Sequence, residues 1–183
     1  MAKTGTPYDI EAVRKEWVGK QTEPVPGRYP VEYDPIRRHC HMIDDDNPLF
    51  LDPDYAAKTR HGGVIAPPVM ADYFAGQGIW PPSEDGPMLL REVPTPGDRM
   101  VNLINEFEYI RPIKIGERLS SYQVLADIFH KPTRLDPIST WIVSETHIID
   151  EAGKVVAIGR NTLLTHRPPE EVAADPNGTG GSK

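Results

Sequence analysis

The chain is poor in the residues that would give it an obvious trade. It has one cysteine, Cys40, among 183 residues. A single thiol excludes an internal disulfide framework and fits a reducing compartment. Positive charge is also scarce: 20 Lys and Arg stand against 27 Asp and Glu, a net charge of −7. No stretch gathers more than two consecutive basic residues. Nucleic acid is therefore not an expected partner, because binding phosphate needs a basic stripe. Long apolar runs are missing too, with nothing near the ~18 residues a membrane helix requires and no leader-like apolar stretch at the start. The expectation is a soluble, cytoplasmic protein. Hydrophobic residues make up only 38%, whereas proline is abundant at 20. That balance predicts one compact core carrying proline-rich loops and tails.

The chain divides into three stretches: an extension over 1–26 with a short helix, a domain over 27–168, and a tail over 169–183. YDIEAVRKEWVG (8–19) spaces its apolar residues as a helix and ends at Gly19. TEPVPGRYP (22–30) reads as a linker and VEYD (31–34) as a short strand. A helix opens at Pro35 behind Asp34 as cap, and Pro48 stops it. DPDYAAKTR (52–60) reads as a second helix, capped by Asp52 and closed by Gly62-Gly63. VIAPPVMADYFAGQGIW (64–80) reads as a buried helix that begins at its proline pair. The stretch 80–98, with five prolines, is an irregular loop; a loop of about 19 residues is often functional. Beyond residue 100 come four strands, near 101–110, 121–129, 138–150 and 155–168, with DEAGK (150–154) as a hairpin turn. From Pro169 the sequence is too polar to order itself. An antiparallel sheet needs a cover for its apolar face, and the 64–80 helix is the strong candidate. The expected fold class is α+β, a curved antiparallel sheet wrapped around one central helix.

The chemistry is concentrated in DDDNPLFLDPDYA (44–56). A calcium loop of EF-hand type needs glycine at its sixth position and glutamate at its twelfth. Counted from Asp44, Asp45 or Asp46, the twelfth residue is Tyr55, Ala56 or Ala57. By residue type alone the stretch is a solvated turn. His39 and His41 lie two apart on a helix, so their rings point to nearly opposite sides. No metal site is expected there. Cys40 lacks the turn that surrounds a nucleophile and reads as a buried thiol.

The run RRHCHMIDDDNPLFLDPDYAAKTRHGGVIAPPVM (37–70) resembles the hydratase segment of the MaoC-like hot-dog superfamily, which holds (R)-specific enoyl-CoA hydratases and hydroxyacyl-thioester dehydratases. The family pattern is approximately G-D-x-N-P-[LI]-H-x-D, followed by F-G-G-x-I-A-x-G. Asp45 falls on the family's catalytic aspartate; Asn47, Pro48, Leu49 and Asp52 match as they stand, and Gly62, Gly63, Val64, Ile65 and Ala66 match the second half. FEYIRPIKIGERL (107–119) and GKVVAIGRNTLL (153–164) are similar to hot-dog strands. The resemblance spans about residues 27–167 and implies a hot-dog fold.

Three departures are as specific as the match. Phe50 occupies the family's histidine position, Asp44 stands at the glycine before the aspartate, and Pro67-Pro68 follows Ala66 where active hydratases have a glycine. In the family, the aspartate and histidine hold and deprotonate the water added to a 2-enoyl thioester, and a backbone N–H at the start of the central helix polarises the carbonyl. A phenyl ring can neither accept nor deliver a proton. The proline resembles the FAS1-like, N-terminal half of these enzymes, which lacks the histidine and pairs with an active half. The resemblance thus implies a subunit that shapes an acyl pocket while a second MaoC-like subunit supplies the catalytic pair. The alternatives are a self-sufficient hydratase using Asp45 with an unusual base (His39, His41 or His61), and a non-catalytic acyl-thioester-binding or scaffold protein. The expected site residues are Asp45 and Asn47 in a degenerate catalytic loop, with Gly62 to Ala66, Phe50 and Trp80 against the substrate. No cofactor or metal is expected, and the substrate's thiol is CoA or an acyl carrier. Arg91, Arg111 and Arg160 are weak candidates for a phosphate clamp. Because the hot-dog sheet associates edge to edge, the resemblance also implies an oligomer.

Overall fold

A computed structural model of the chain describes residues 8–76 and 92–175. Helix α1 (Ile10–Trp17) starts because the Asp9 carboxylate accepts the N–H groups of Glu11 and Ala12, and it ends at Gly19, whose φ of 87° suits a residue without Cβ. A two-residue strand, β1 (Val25–Pro26), follows. Helix α2 is Tyr33–Met42, α3 is Pro48–Leu51 and α4 is Pro53–Ala57. A 3₁₀ turn over Pro68–Met70 leads into α5 (Ala71–Ala75). Four long strands complete the domain: β2 (Arg99–Tyr109), β3 (Ser120–His130), β4 (Thr140–Ile149) and β5 (Val155–His166). A last helix, α6, spans Pro169–Ala174. Among the described residues no helix is long and apolar enough to cross a membrane.

The sheet has the order β1-β3-β4-β5-β2 and is antiparallel throughout. One face carries the helices. Near one end of that face, Leu119, Ile148, Val156 and Ala157 pack with Ile36, Phe50, Met70 and Phe74. Near the other end, Leu125, Ile128, Ile142 and Leu163 are covered by Ile10, Val13 and Trp17 of α1. Gly27 sits where the chain enters the first cluster: a Cβ there would lie 2.0 Å from the Phe74 carbonyl oxygen, so no side chain fits.

Four expectations need correction. Residues 31–34 form no strand; the short edge strand is 25–26, inside the supposed linker, where the Gly27 N–H bonds to Leu119 O. Helix α2 starts at Tyr33 behind Glu32, two residues before Pro35, which the first turn tolerates because its N–H would be unpaired anyway. The helix expected to begin at the proline pair of 64–80 does begin there, at Pro68, but it is not buried all round: Val69 and Tyr73 on it are exposed, and 77–80 lie outside the described residues. The tail is helical over 169–174 instead of unstructured from Pro169, and the Arg167 side chain donates to Asp175 O at 3.0 Å. Of the 80–98 loop, 80–91 lies outside the described residues.

Candidate functional site

The aspartate-rich loop is a series of caps. Asp44 has φ 55°, a left-handed turn that reverses the chain after α2. The Asp45 N–H then bonds to Cys40 O at 2.9 Å. The Asp45 carboxylate accepts the Asn47 N–H at 3.1 Å, and the Asn47 side-chain oxygen accepts the Leu49 N–H at 3.0 Å, opening α3. Asp52 takes the N–H groups of Asp54 and Tyr55 at 2.9 and 3.0 Å and opens α4 as expected. Tyr33 donates its hydroxyl to Leu51 O at 2.7 Å, tying the loop back to α2. At Asp45, Asn47 and Asp52 a short polar side chain meets an N–H that the turn or helix start leaves unpaired.

The structure brings the two halves of the motif together. The Ile65 N–H bonds to Leu49 O, and the Ala66 N–H bonds to Ile113 O at 2.8 Å. Phe50 is 8% exposed and belongs to the apolar cluster with Ile65, Ala66 and Met70. It is a core side chain, and no proton-transfer group takes its place. Gly62 turns the chain at φ 69°, while Val64, Ile65 and Ala66 are buried. The Ala66 N–H is already used, and Pro67 and Pro68 have none to give. Prolines at 67 and 68 thus remove two of the backbone donors that the start of the 3₁₀ turn could offer an oxyanion. Trp80 and Arg91 lie outside the described residues.

The histidines do not converge on Asp45. His61 is half-buried and its ring meets Arg60 Nε at 3.5 Å. His41 is exposed and lies 3.5 Å from Arg37. His39 faces the other way, with its Nε2 buried and unpartnered. Cys40 between them is fully buried, and that burial, followed by the nearby Asp45 charge, pushes its thiol up. Of the candidate phosphate-binding arginines, Arg111 is held by Glu117 at 3.0 Å and Asp150 at 2.9 Å. Arg160 is paired with Glu145. Neither is left to greet an anion.

Two recesses flank the motif. A cleft of about 200 Å³ lies between Ile65-Ala66, Pro68 and the segment Tyr109–Ile113. A second, of about 330 Å³, opens between α2 and α5 and is lined by Pro35, Arg38, His39, Met42, Val69, Met70 and Tyr73. Val69 and Tyr73, expected to be buried with Met70 and Phe74, are 60% and 62% exposed and form an open wall. Their spacing of four residues, matched by the three-residue spacing of His39 and Met42, was the signal that two helices share an open apolar face.

A family described as "FAS1-like, dehydratase domain region" matches residues 16–158. A probable enoyl-CoA hydratase alpha subunit from Thermomonospora curvata is 31% identical over 171 residues, covering 87% of this chain and 53% of the relative. The chain thus spans about half that relative's length. A UPF0336 protein from Streptomyces avermitilis is 30% identical over 164 residues, covering 87% of this chain and 99% of the relative. Among solved structures, the crystal structure of the ChsH1-ChsH2 complex from Mycobacterium tuberculosis matches with a TM-score of 0.73 at 23% identity, over 88% of this chain and 95% of the matched chain.

Proposed function

The chain belongs to the family of the FAS1-like dehydratase domain region, and from that membership we propose that it is the non-catalytic subunit of a heteromeric enoyl-thioester hydratase. Its five-stranded sheet with few helices is the hot-dog fold of MaoC-like dehydratases. In this reading a second hot-dog subunit supplies the aspartate, the histidine and the carbonyl-polarising donor. This chain supplies shape: Gly62 to Ala66 and Phe50 border the acyl thioester, while Asp45 and Asn47 hold their loop in place and do not react. The thiol is CoA or an acyl carrier. Two-chain assembly of a related fold, as in the ChsH1-ChsH2 complex, supports the reading.

The observation that carries the proposal is the burial of Phe50 in the core at the position where the chemistry requires a base. Losing one member of an acid–base pair removes about 10²–10⁴-fold of rate. The test is hydration of a 2-enoyl-CoA, followed by loss of the conjugated absorbance. It is run for this chain alone and for this chain co-expressed with a MaoC-like protein that retains D-x-N-P-x-H. Turnover by the pair and not by the single chain is expected. Robust turnover by the isolated chain overturns the proposal. Silence from the pair, together with measurable CoA-ester binding, makes the chain a binding module instead.

A further inference from the structure

At the end of the sheet covered by α1, three polar side chains stand in one row. Cross-strand pairing sets His130 of β3 beside Thr140 of β4, and Thr140 beside Thr165 of β5. Each lies two residues along its strand from a core residue beneath α1: His130 from Ile128, Thr140 from Ile142 and Thr165 from Leu163. Side chains alternate along a strand, so all three share the helix-bearing face. Thr140 is fully buried, Thr165 is 3% exposed, and His130 is half-buried with its Nε2 out of solvent.

The N-terminal extension reaches this row. The Tyr8 ring stacks on the His130 ring, with centroids 5.5 Å apart and planes at 25°. The Tyr8 hydroxyl donates to Pro94 O at 3.1 Å, and Val93 is buried in the cluster beneath α1. Burial lowers the His130 pKa against the pull of the Asp136 charge, so the ring is neutral and keeps one accepting nitrogen. The neighbouring polar groups are satisfied: Ser139 Oγ donates to Asp136 O at 2.7 Å, and Arg167 holds the Asp136 carboxylate. The row is not. Thr140 Oγ1, Thr165 Oγ1 and His130 Nε2 have no hydrogen-bond partner among the described residues. Buried polar atoms are costly to leave unpaired, and three in line call for a molecule that pairs with them.

We propose that the row is a binding site for internal water, a file of two molecules at the joint between sheet and extension. One bridges His130 Nε2 and Thr140 Oγ1; the other bridges Thr140 Oγ1 and Thr165 Oγ1. Neighbouring strands lie ~4.8 Å apart, and a water bonded at ~2.8 Å on each side spans that gap. His130 and Thr165 are two strands apart, so one molecule does not serve all three. Each water, with the other as third partner, makes the ~3 hydrogen bonds usual for buried water. The Thr140 hydroxyl can donate to one and accept from the other. The extension then meets the sheet in two ways: wet beside Tyr8, and dry where Ile10, Val13 and Trp17 cover the apolar cluster. The site is independent of the proposed function.

The test turns on the sign of an effect. Valine keeps the shape of threonine without its hydroxyl, so Thr140→Val and Thr165→Val separate a wet row from a dry one. Thr162→Val, the same exchange on the opposite face of β5, is the reference. Denaturant unfolding is followed on the full chain. With water bound, each buried exchange should lower the folding equilibrium constant about fivefold against that reference, because a water loses a partner. The double exchange should cost less than the two singles combined, because both hydroxyls hold one molecule. NMR gives the direct readout: magnetisation passes from long-lived water to the Thr140 and Thr165 methyl groups in wild type. In Thr140→Val the transfer to Thr165 should fade. Higher stability in both single variants, or no transfer to either methyl group in wild type, overturns the inference and makes the hydroxyls dry.

Discussion

Five aspartates crowd residues 44–54, while Asp136 stands alone on the β3–β4 connection. Among the crowded ones Asp45 and Asp52 cap a turn and a helix start, Asp44 sits in a left-handed turn, and only Asp45 is even half-buried. Asp136 is fully buried. The Arg167 guanidinium grips it at 2.7 and 2.9 Å, and the N–H groups of Arg167 and Ile138 bond to it at 3.0 Å. Burial pushes its carboxyl up, but the Arg167 side chain and these N–H donors more than reverse that, leaving it lowered to about 2. Carboxylate density in a sequence thus marks where the chain turns. Carboxylate energy depends on who sits across from it, and that partner is 31 residues away.

The comparison can be broken most forcefully at Arg167. Replacing it with Met strands a buried charge, and we expect a loss of about 3–5 kcal/mol in chemical denaturation. Changing both partners, Asp136→Leu with Arg167→Met, should recover much of it. The loop's strongest residue is its apolar one. Phe50→His trades core packing for a half-satisfied imidazole and should cost about 3 kcal/mol. It should give no turnover in the isolated chain under the enoyl-CoA assay. The next effect is pH. Because the folded Asp136 carboxyl lies near 2 and its ordinary value is 3.8, its stabilisation is complete above about pH 4 and fades as pH falls toward 2. It amounts to about 2 kcal/mol. An Asp136→Asn protein should lose this acid dependence, whereas Asp45→Ala should keep it. Smaller still, Asp52→Ala removes a cap at α4 and should cost about 1 kcal/mol. Asp45→Ala should cost less than ~1 kcal/mol, and the co-expressed pair should retain its turnover within about twofold. A collapse of that turnover would mean that Asp45 is chemical after all.

Much of this was legible in the sequence because the signals are local. Apolar spacing located α1 and β2 to β5, Asp52-Pro53 marked the start of α4, and DEAGK formed its hairpin, with Asp150 accepting the N–H groups of Ala152 and Lys154. The misses are non-local. Val25-Pro26 is a strand only because the edge of β3 lies beside it. VEYD has strand-like residues, yet Val31 is drawn into the core and Tyr33 into α2 to reach Leu51 O. The helical turn at 169–174 stands beside a buried arginine that reaches Asp175. In the motif, spacing located every residue, but burial decided that Phe50 fills the core and that Val69 and Tyr73 face outward.

The proline pair at the start of the 3₁₀ turn has a consequence for history. Under the proposed function, the chain lost two separate chemical parts: a base at position 50 and a hydrogen-bond donor at 67–68. Restoring either one alone returns no activity, and the histidine would disturb the core as well. Selection cannot reward half of that return journey. A lineage in this state stays dependent on its companion, which makes the dependence a ratchet: easy to enter one substitution at a time, and closed to retreat by the same route.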